Sequence, residues 1–282
     1  MLEDILFTQL TMPGETIRLV FAFLGVMIAA YYDIFNKKNI PDLYLYAFLL
    51  ISFLINLVFY QETLFLFSIA LAIFVSFIGY VFYRAGQLGG ADIFIIASIM
   101  LLLPLHPSFT EMSFNLPFVF SLIIFSGVAF ALYMLVYFGY RLLHAEKKPN
   151  LVYLLLLIPY GLFVYVYSGS FLFSPVYFAF FTISMLAIIV FMVFKQTINN
   201  MLSEELPVSQ LQPEDVLALE LMNPDMVKKY QLTRLVTEKE IERLKKLKVS
   251  EIWVYTKLPP FIPFLLIGMA LSMFYAKYLL LF

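Results

Sequence analysis

Two aspartates carry the chemistry available to this chain: Asp33, in Tyr31-Tyr32-Asp33-Ile34, and Asp92, in Gly89-Gly90-Ala91-Asp92. Each stands where a long apolar segment meets polar residues. An ionisable carboxyl in or at the edge of a membrane span is costly, so it marks a functional site by default. Two carboxyls in one poorly solvated site cannot both ionise cheaply and share a proton. Such a pair suits hydrolysis. The ionised member takes a proton from water as the water attacks a peptide carbonyl, and the protonated member donates to the developing oxyanion. Either aspartate taken alone also reads as a helix cap or an interfacial charge. The pair, with Gly89 and Gly90 beside it on one membrane face, selects catalysis.

The elements that must position the pair are membrane spans. Of the 282 residues, 63% are hydrophobic, 18% aromatic and 13% charged, and the mean hydropathy is +0.92. A soluble domain is about 45–50% apolar and about 25% charged. The fold class expected is an all-α polytopic membrane protein of about eight transmembrane helices, with a small cytoplasmic α/β subdomain before the last helix. Apolar segments run over 16–35, 43–60, 63–83, 91–105, 117–141, 151–167, 173–194 and 259–281. The chain divides into a transmembrane catalytic bundle (1–195), a cytoplasmic subdomain (196–258) and a final transmembrane helix (259–282). Glu3 and Asp4 precede the first span, where a cleavable signal peptide has a basic region, so that span is expected to be retained.

Lysine and arginine set the orientation. With the N-terminus outside, the inner connections hold Lys37, Lys38, Arg84, Arg141, Lys147, Lys148 and the long polar stretch after Lys195. Only Arg18 and Lys277 fall outside, a positive-inside asymmetry that favours eight spans. The first span then ends near Asp33 on the cytoplasmic side, and the fourth begins near Asp92 on that same side. A parity change of one span would place them on opposite faces.

Gly89 and Gly90 offer backbone conformations closed to other residues and permit close approach of another chain. The fourth span has only about 15 residues before Pro104, roughly 22 Å at 1.5 Å per residue. The hydrocarbon core is about 30 Å thick, so the Gly-Gly turn dips below the surface and is either buried in protein or lines a wet recess, which hydrolysis would need. Helix polarity assigns Asp92, at an N-terminus, to the anionic base and Asp33, near a C-terminus, to the neutral acid.

Within 196–258, Pro213-Glu214-Asp215 followed by Leu217, Leu219 and Leu221 predicts a helix start. Thr237-Glu238-Lys239-Glu240 matches a capping box before Ile241, Leu244 and Leu247. Ile252-Trp253-Val254-Tyr255 predicts a short strand.

The segment Asp33-Ile-Phe-Asn-Lys-Lys-Asn-Ile-Pro-Asp42, together with Gly89-Gly90-Ala91-Asp92, resembles the type IV prepilin peptidase family. Within it the chain is most similar to the archaeal preflagellin (prearchaellin) and prepilin peptidases, which are GxGD membrane aspartyl proteases. The stretch Lys257-Leu-Pro-Pro-Phe-Ile-Pro-Phe264 is also similar to those members. The resemblance implies that Asp33 and Asp92 are the catalytic pair, with Gly89, Gly90 and Ala91 as backbone support. It implies removal of class III signal peptides from archaellin or type IV pilin-like precursors, at the cytoplasmic face of an archaeal cell membrane. Ala91 stands where GxGD has its second glycine. Bacterial members have a cysteine-bearing zinc element and methylate the new amino terminus; with no cysteine, neither zinc nor methyl transfer is expected here, and no cofactor. Tyr32-Asp33 also fits the presenilin and signal-peptide-peptidase branch, but that branch's C-terminal Pro-Ala-Leu motif is absent. A proton- or cation-coupled transporter and a non-catalytic filament-assembly factor are the readings from other classes.

The remaining polar residues have ordinary expectations. Asp42 is a helix-start residue that could also meet a basic substrate, and Lys37 and Lys38 contact anionic membrane lipid. Neither His106 nor His144 is expected to bind metal. Trp253 anchors the subdomain. Glu204, Glu205, Glu214 and Asp215 form a solvated face able to attract basic precursors. A net charge of −1 gives no reason to expect nucleic acid. Nothing in the sequence fixes the oligomeric state.

Overall fold

A computed structural model describes residues 11–36, 39–110, 116–145, 149–171, 173–247, 249 and 251–279. Of the described residues 73% are helical. Among the described residues five helical segments are long and apolar enough to cross a membrane: α1 (Glu15–Phe35), α3 (Glu62–Arg84), α5 (Phe118–Leu143), Leu151–Ser168, and α7 (Pro175–Val193). Of these, Leu151–Ser168 opens with a 3-10 turn and continues as α6 (Leu157–Ser168). Three apolar helices are shorter: α2 (Asp42–Val58), α4 (Gly90–Leu102) and, closing the chain, α11 (Ile262–Tyr275). The orientation lysines Lys37, Lys38, Lys147 and Lys148, and the N-terminal Glu3 and Asp4, lie outside the described residues.

Proline sets several of the helix starts. Pro41 and Pro117 precede α2 and α5, and Pro175 occupies the first position of α7, where a missing N–H costs nothing. α4 is the innermost helix: Ile95 to Leu102 are all buried, and it packs against α1, α2, α3 and α5. A helix apolar on every side has to be enclosed in this way or face lipid. α11 packs against α5 and α1. At the α5 crossing the chains are very close, because a Cβ on Gly268 would stand 2.7 Å from Ser126 N and 2.9 Å from Leu122 O. Small residues at such a crossing let two helices gain dispersion contacts that bulkier ones forbid.

One end of the bundle is closed by Arg18, which is 2% exposed. Its guanidinium donates to Pro13 O (2.9 Å), to Leu101 O and Leu102 O (both 3.2 Å), to Asn56 Oδ1 (2.9 Å) and to Phe59 O (3.3 Å). The start of α1 is thereby joined to the ends of α2 and α4. Asn56 in turn donates to Ser68 of α3. Because the start of α1 meets the ends of α2 and α4, the far end of α1 and the start of α4 face the opposite side of the bundle.

After α7, a short helix α8 (Lys195–Leu202) leads into β1 (Ser203–Pro207). Two further helices follow, α9 (Pro224–Tyr230) and α10 (Glu238–Lys246), and then β2 (Glu251–Tyr255). β1 and β2 pair antiparallel, with Glu205 opposite Trp253. Val208, Leu211, Leu217, Val236, Ile241, Leu244, Ile252 and Val254 form a separate apolar core, against which Trp253 packs.

The capping box at the start of α10 is present: Thr237 Oγ1 accepts from Glu240 N, and Glu240 accepts from Thr237 N. The strand expected at Ile252–Tyr255 is β2. The helix expected after Pro213 is not there. Glu214 sits at φ +72°, Asp215 Oδ2 accepts from Gln212 N at 2.7 Å, and Val216 and Leu217 bridge to Leu235 and Val254. Pairing on both sides overrides the local helical pattern, leaving only a 3-10 turn at Leu219–Leu221.

Candidate active site

Asp33 lies in the last turn of α1 and is 7% exposed. Its Oδ2 accepts a hydrogen bond of 3.0 Å from the backbone N–H of Ile262, the first residue of α11. Asp92 is the third residue of α4, and its Oδ2 accepts from Gly89 N at 3.0 Å. Both carboxyls lie at the bundle end opposite Arg18, close enough for their charges to interact. α1 packs against α4, with the two aspartates at the same end.

These contacts revise the division of roles read from helix polarity. Asp33 is near the C-terminus of its own helix, but its carboxyl caps the N-terminus of another. Both aspartates therefore receive an N–H from a helix start. Helix polarity thus does not distinguish the two carboxyls.

The glycines contribute through space rather than through special backbone angles. Gly89 has an extended conformation, φ −74° and ψ 150°, open to any residue. A Cβ there would stand 3.1 Å from Asp92 Oδ2, crowding the carboxylate. A Cβ on Gly90 would meet Tyr83 and Glu214 only at 3.5 to 3.6 Å, ordinary contact. The conformationally demanding glycine of this loop is Gly86, at φ +67°. Ala91 packs against the main core at the start of α4.

Around Asp33 the ring of Tyr32 lies 5.9 Å from that of Tyr44, and the Tyr44 hydroxyl donates to Gly25 O, holding α2 against α1. Asp42 begins α2 and is exposed. His106 lies beyond the far end of α4. Its Nδ1 faces Leu116 O at 2.9 Å and its Nε2 faces Ser121 Oγ at 2.7 Å. The pair has the spacing of a nucleophile and its base, but Ser121 is fully buried, and its role is to fasten the 104–118 connection. His144 contacts only its own helix, at Tyr140 O and the Tyr140 ring.

Two contributions escape a reading of residue types. The Ile262 N–H has no side-chain signature; its signal is Pro263, which marks a helix start one residue earlier. Glu214 and Tyr83 meet at 2.9 Å next to the Asp92 turn although far apart in sequence. No family model matches the chain, and no curated protein or solved structure is similar to it.

Proposed function

We propose that the chain is a membrane aspartyl endopeptidase that removes class III signal peptides from archaellin or type IV pilin-like precursors at the cytoplasmic membrane face. The placement of Asp33 and Asp92 at the same end of the bundle, each accepting from a backbone N–H, supports this most directly. In this reading all eight apolar segments cross the bilayer, α2, α4 and α11 as short spans, with the N-terminus outside and residues 196–258 in the cytoplasm. α4 has 13 residues, about 20 Å, so the turn before it lies within the headgroup boundary. That is where water and the residues just before a precursor's apolar helix both reach.

The dyad acts as a unit. One carboxylate takes a proton from water, the water oxygen bonds to the peptide carbonyl carbon, and the protonated partner donates to the developing oxyanion. Collapse of the tetrahedral intermediate breaks the C–N bond and returns a proton to the leaving amine. The backbone N–H groups of Ile262 and Gly89 fix each carboxyl on one oxygen, which keeps the geometry constant while the proton moves.

Transport is less well supported. Between the aspartates and Arg18, α1 carries Ala22, Val26 and Ala29 and α4 carries Ile95, Ile99 and Met100, all 0% exposed, while the buried hydroxyls of Ser52 and Ser98 donate to Phe48 O and Phe94 O within their own helices. A proton or cation path needs polar groups or water at that depth. The test is cleavage of an archaellin precursor by membranes holding the wild-type chain. Cleavage of a presenilin-type transmembrane substrate alone would move the protein to that branch.

A further inference from the structure

The segment 196–258 touches the site at two places, one for each aspartate. The first is the connection between α3 and α4. Arg234 lays its stem over Gly86, where a Cβ would meet Arg234 Cγ at 3.2 Å and Cδ at 3.3 Å, and Val216 Cγ1 would lie at 3.5 Å. Tyr83, one residue before the end of α3, donates its hydroxyl to Glu214 Oε1 at 2.9 Å. The same carboxylate lies 3.5 Å from the Cβ position of Gly90, at the N-terminus of the helix that carries Asp92.

The second contact runs through β2. That strand is locked on one side by β1 and on the other by Ala218 N to Trp253 O and Tyr255 N to Val216 O. Lys257 N then bonds Leu202 O. A few residues on, the chain delivers the N–H of Ile262 to Asp33. The pairing partner of β2 on its outer edge, Val216 to Ala218, begins two residues after Glu214. One small core therefore fixes both the group beside Asp92 and the strand that leads to the group on Asp33.

Glu214 holds this position at a cost. Its φ of +72° is one of two positive values among described non-glycine residues, and such a conformation is strained for a residue with a Cβ. Its N–H to Val236 O bond at 2.8 Å and the Val236 N–H to Asp215 O bond at 3.0 Å hold it there. The strain places a carboxylate against the Asp92 turn.

We infer that residues 196–258 are a positioning element for the dyad, with Glu214 and Tyr83 as the positioning residues that clamp the Asp92 turn. The inference rests on the peptidase reading. It differs from a substrate-attracting acidic face, because it requires Glu214 to accept a hydrogen bond and does not require its charge.

The test compares Tyr83→Phe, Glu214→Ala, Glu214→Gln and the double variant Tyr83→Phe/Glu214→Ala in cleavage of an archaellin precursor. Tyr83→Phe and Glu214→Ala each lower kcat about tenfold, the upper end of what one ordinary hydrogen bond contributes, with KM within about twofold. The double variant is no worse than either single one, since both remove the same bond. Glu214→Gln keeps an acceptor oxygen and recovers most of the kcat. Unchanged kcat in Tyr83→Phe, or a Glu214→Gln variant as impaired as Glu214→Ala, overturns the inference. Should the wild-type chain cleave no precursor, the peptidase reading fails, and amide exchange decides the clamp separately. Faster deuterium uptake across 86–93 in Tyr83→Phe than in wild type upholds it, and equal uptake rejects it.

Discussion

The N–H of Ile262 donates to Asp33 Oδ2 across 3.0 Å, joining the first residue of α11 to the last turn of α1. The bond is buried. It makes the position of one candidate catalytic carboxyl depend on where the final helix begins, and that start is set by the strand and Pro-Pro linker before it. Asp92 has a local tie instead, to Gly89 three residues earlier. The two candidate carboxyls thus have one long-range and one local restraint.

The local restraint separates the two glycines. Gly89→Ala puts a methyl 3.1 Å from Asp92 Oδ2, so the carboxylate gives way by a few tenths of an ångström and kcat falls more than about tenfold, short of the roughly 100-fold of a 1 Å misplacement. Gly90→Ala meets only ordinary contacts and retains activity within about tenfold. Precursor cleavage by the two variants at matched expression checks the difference. Equal loss in both would remove the steric role assigned to Gly89.

The long-range restraint responds to the α5–α11 crossing. Gly268→Ala sets a Cβ 2.7 Å from Ser126 N and 2.9 Å from Leu122 O, forcing the helices apart at about 1–3 kcal/mol. Ser126→Ala removes the hydroxyl, the nearest clashing atom, but does not rescue the variant, because the backbone atoms Ser126 N and Leu122 O still lie under 3.0 Å from the added Cβ. The expected outcome is a lower melting temperature in detergent together with lower kcat, since Ile262 moves with its helix. Rescue by Ser126→Ala would show that only the hydroxyl was in the way.

Replacing Arg18 with leucine leaves Leu101 O, Leu102 O, Phe59 O and Asn56 Oδ1 without the guanidinium that serves them. Unmet buried acceptors cost about 1–3 kcal/mol each before relaxation, so a loss of about 3 kcal/mol or more in unfolding stability is expected. Arg18→Lys recovers only part, since an ammonium cannot reach all the acceptors. Thermal unfolding of the purified variants measures this.

His106 gives the fold an acid limit. Burial pushes its pKa down to about 4, against the weaker opposing effect of Leu116 O, so the folded chain holds it neutral. Between about 6.5 and about 4 the unfolded chain binds the proton and the folded chain does not. Stability contributed by neutral His106 is therefore complete above about pH 6.5 and falls as the pH drops towards 4. Melting temperatures recorded from pH 7.5 to 4.5 should decline less steeply for His106→Gln than for wild type.

Much of this arrangement was legible in the residues. Long apolar runs and the lysine and arginine pattern placed Asp33 and Asp92 at one end, and the Thr237–Glu240 capping box and the strand at Ile252–Tyr255 follow from local rules. What escaped depends on contacts between distant segments. Pro213-Glu214-Asp215 looks like a helix start until Val216 and Leu217 are paired with Leu235 and Val254. The N–H of Ile262 became part of the site because a backbone donor was brought to Asp33 by the last helix. Gly89 was read for its backbone freedom, whereas its value lies in the space it leaves beside Asp92.

The most direct measurement is cleavage of an archaellin or pilin precursor by membranes carrying wild type, Asp33→Asn or Asp92→Asn, with a chelator present. Cleavage by the wild type and by neither variant is the expected result, since each substitution removes a group that must gain or lose the proton. Processing by either asparagine variant at the wild-type rate would contradict a shared aspartyl dyad.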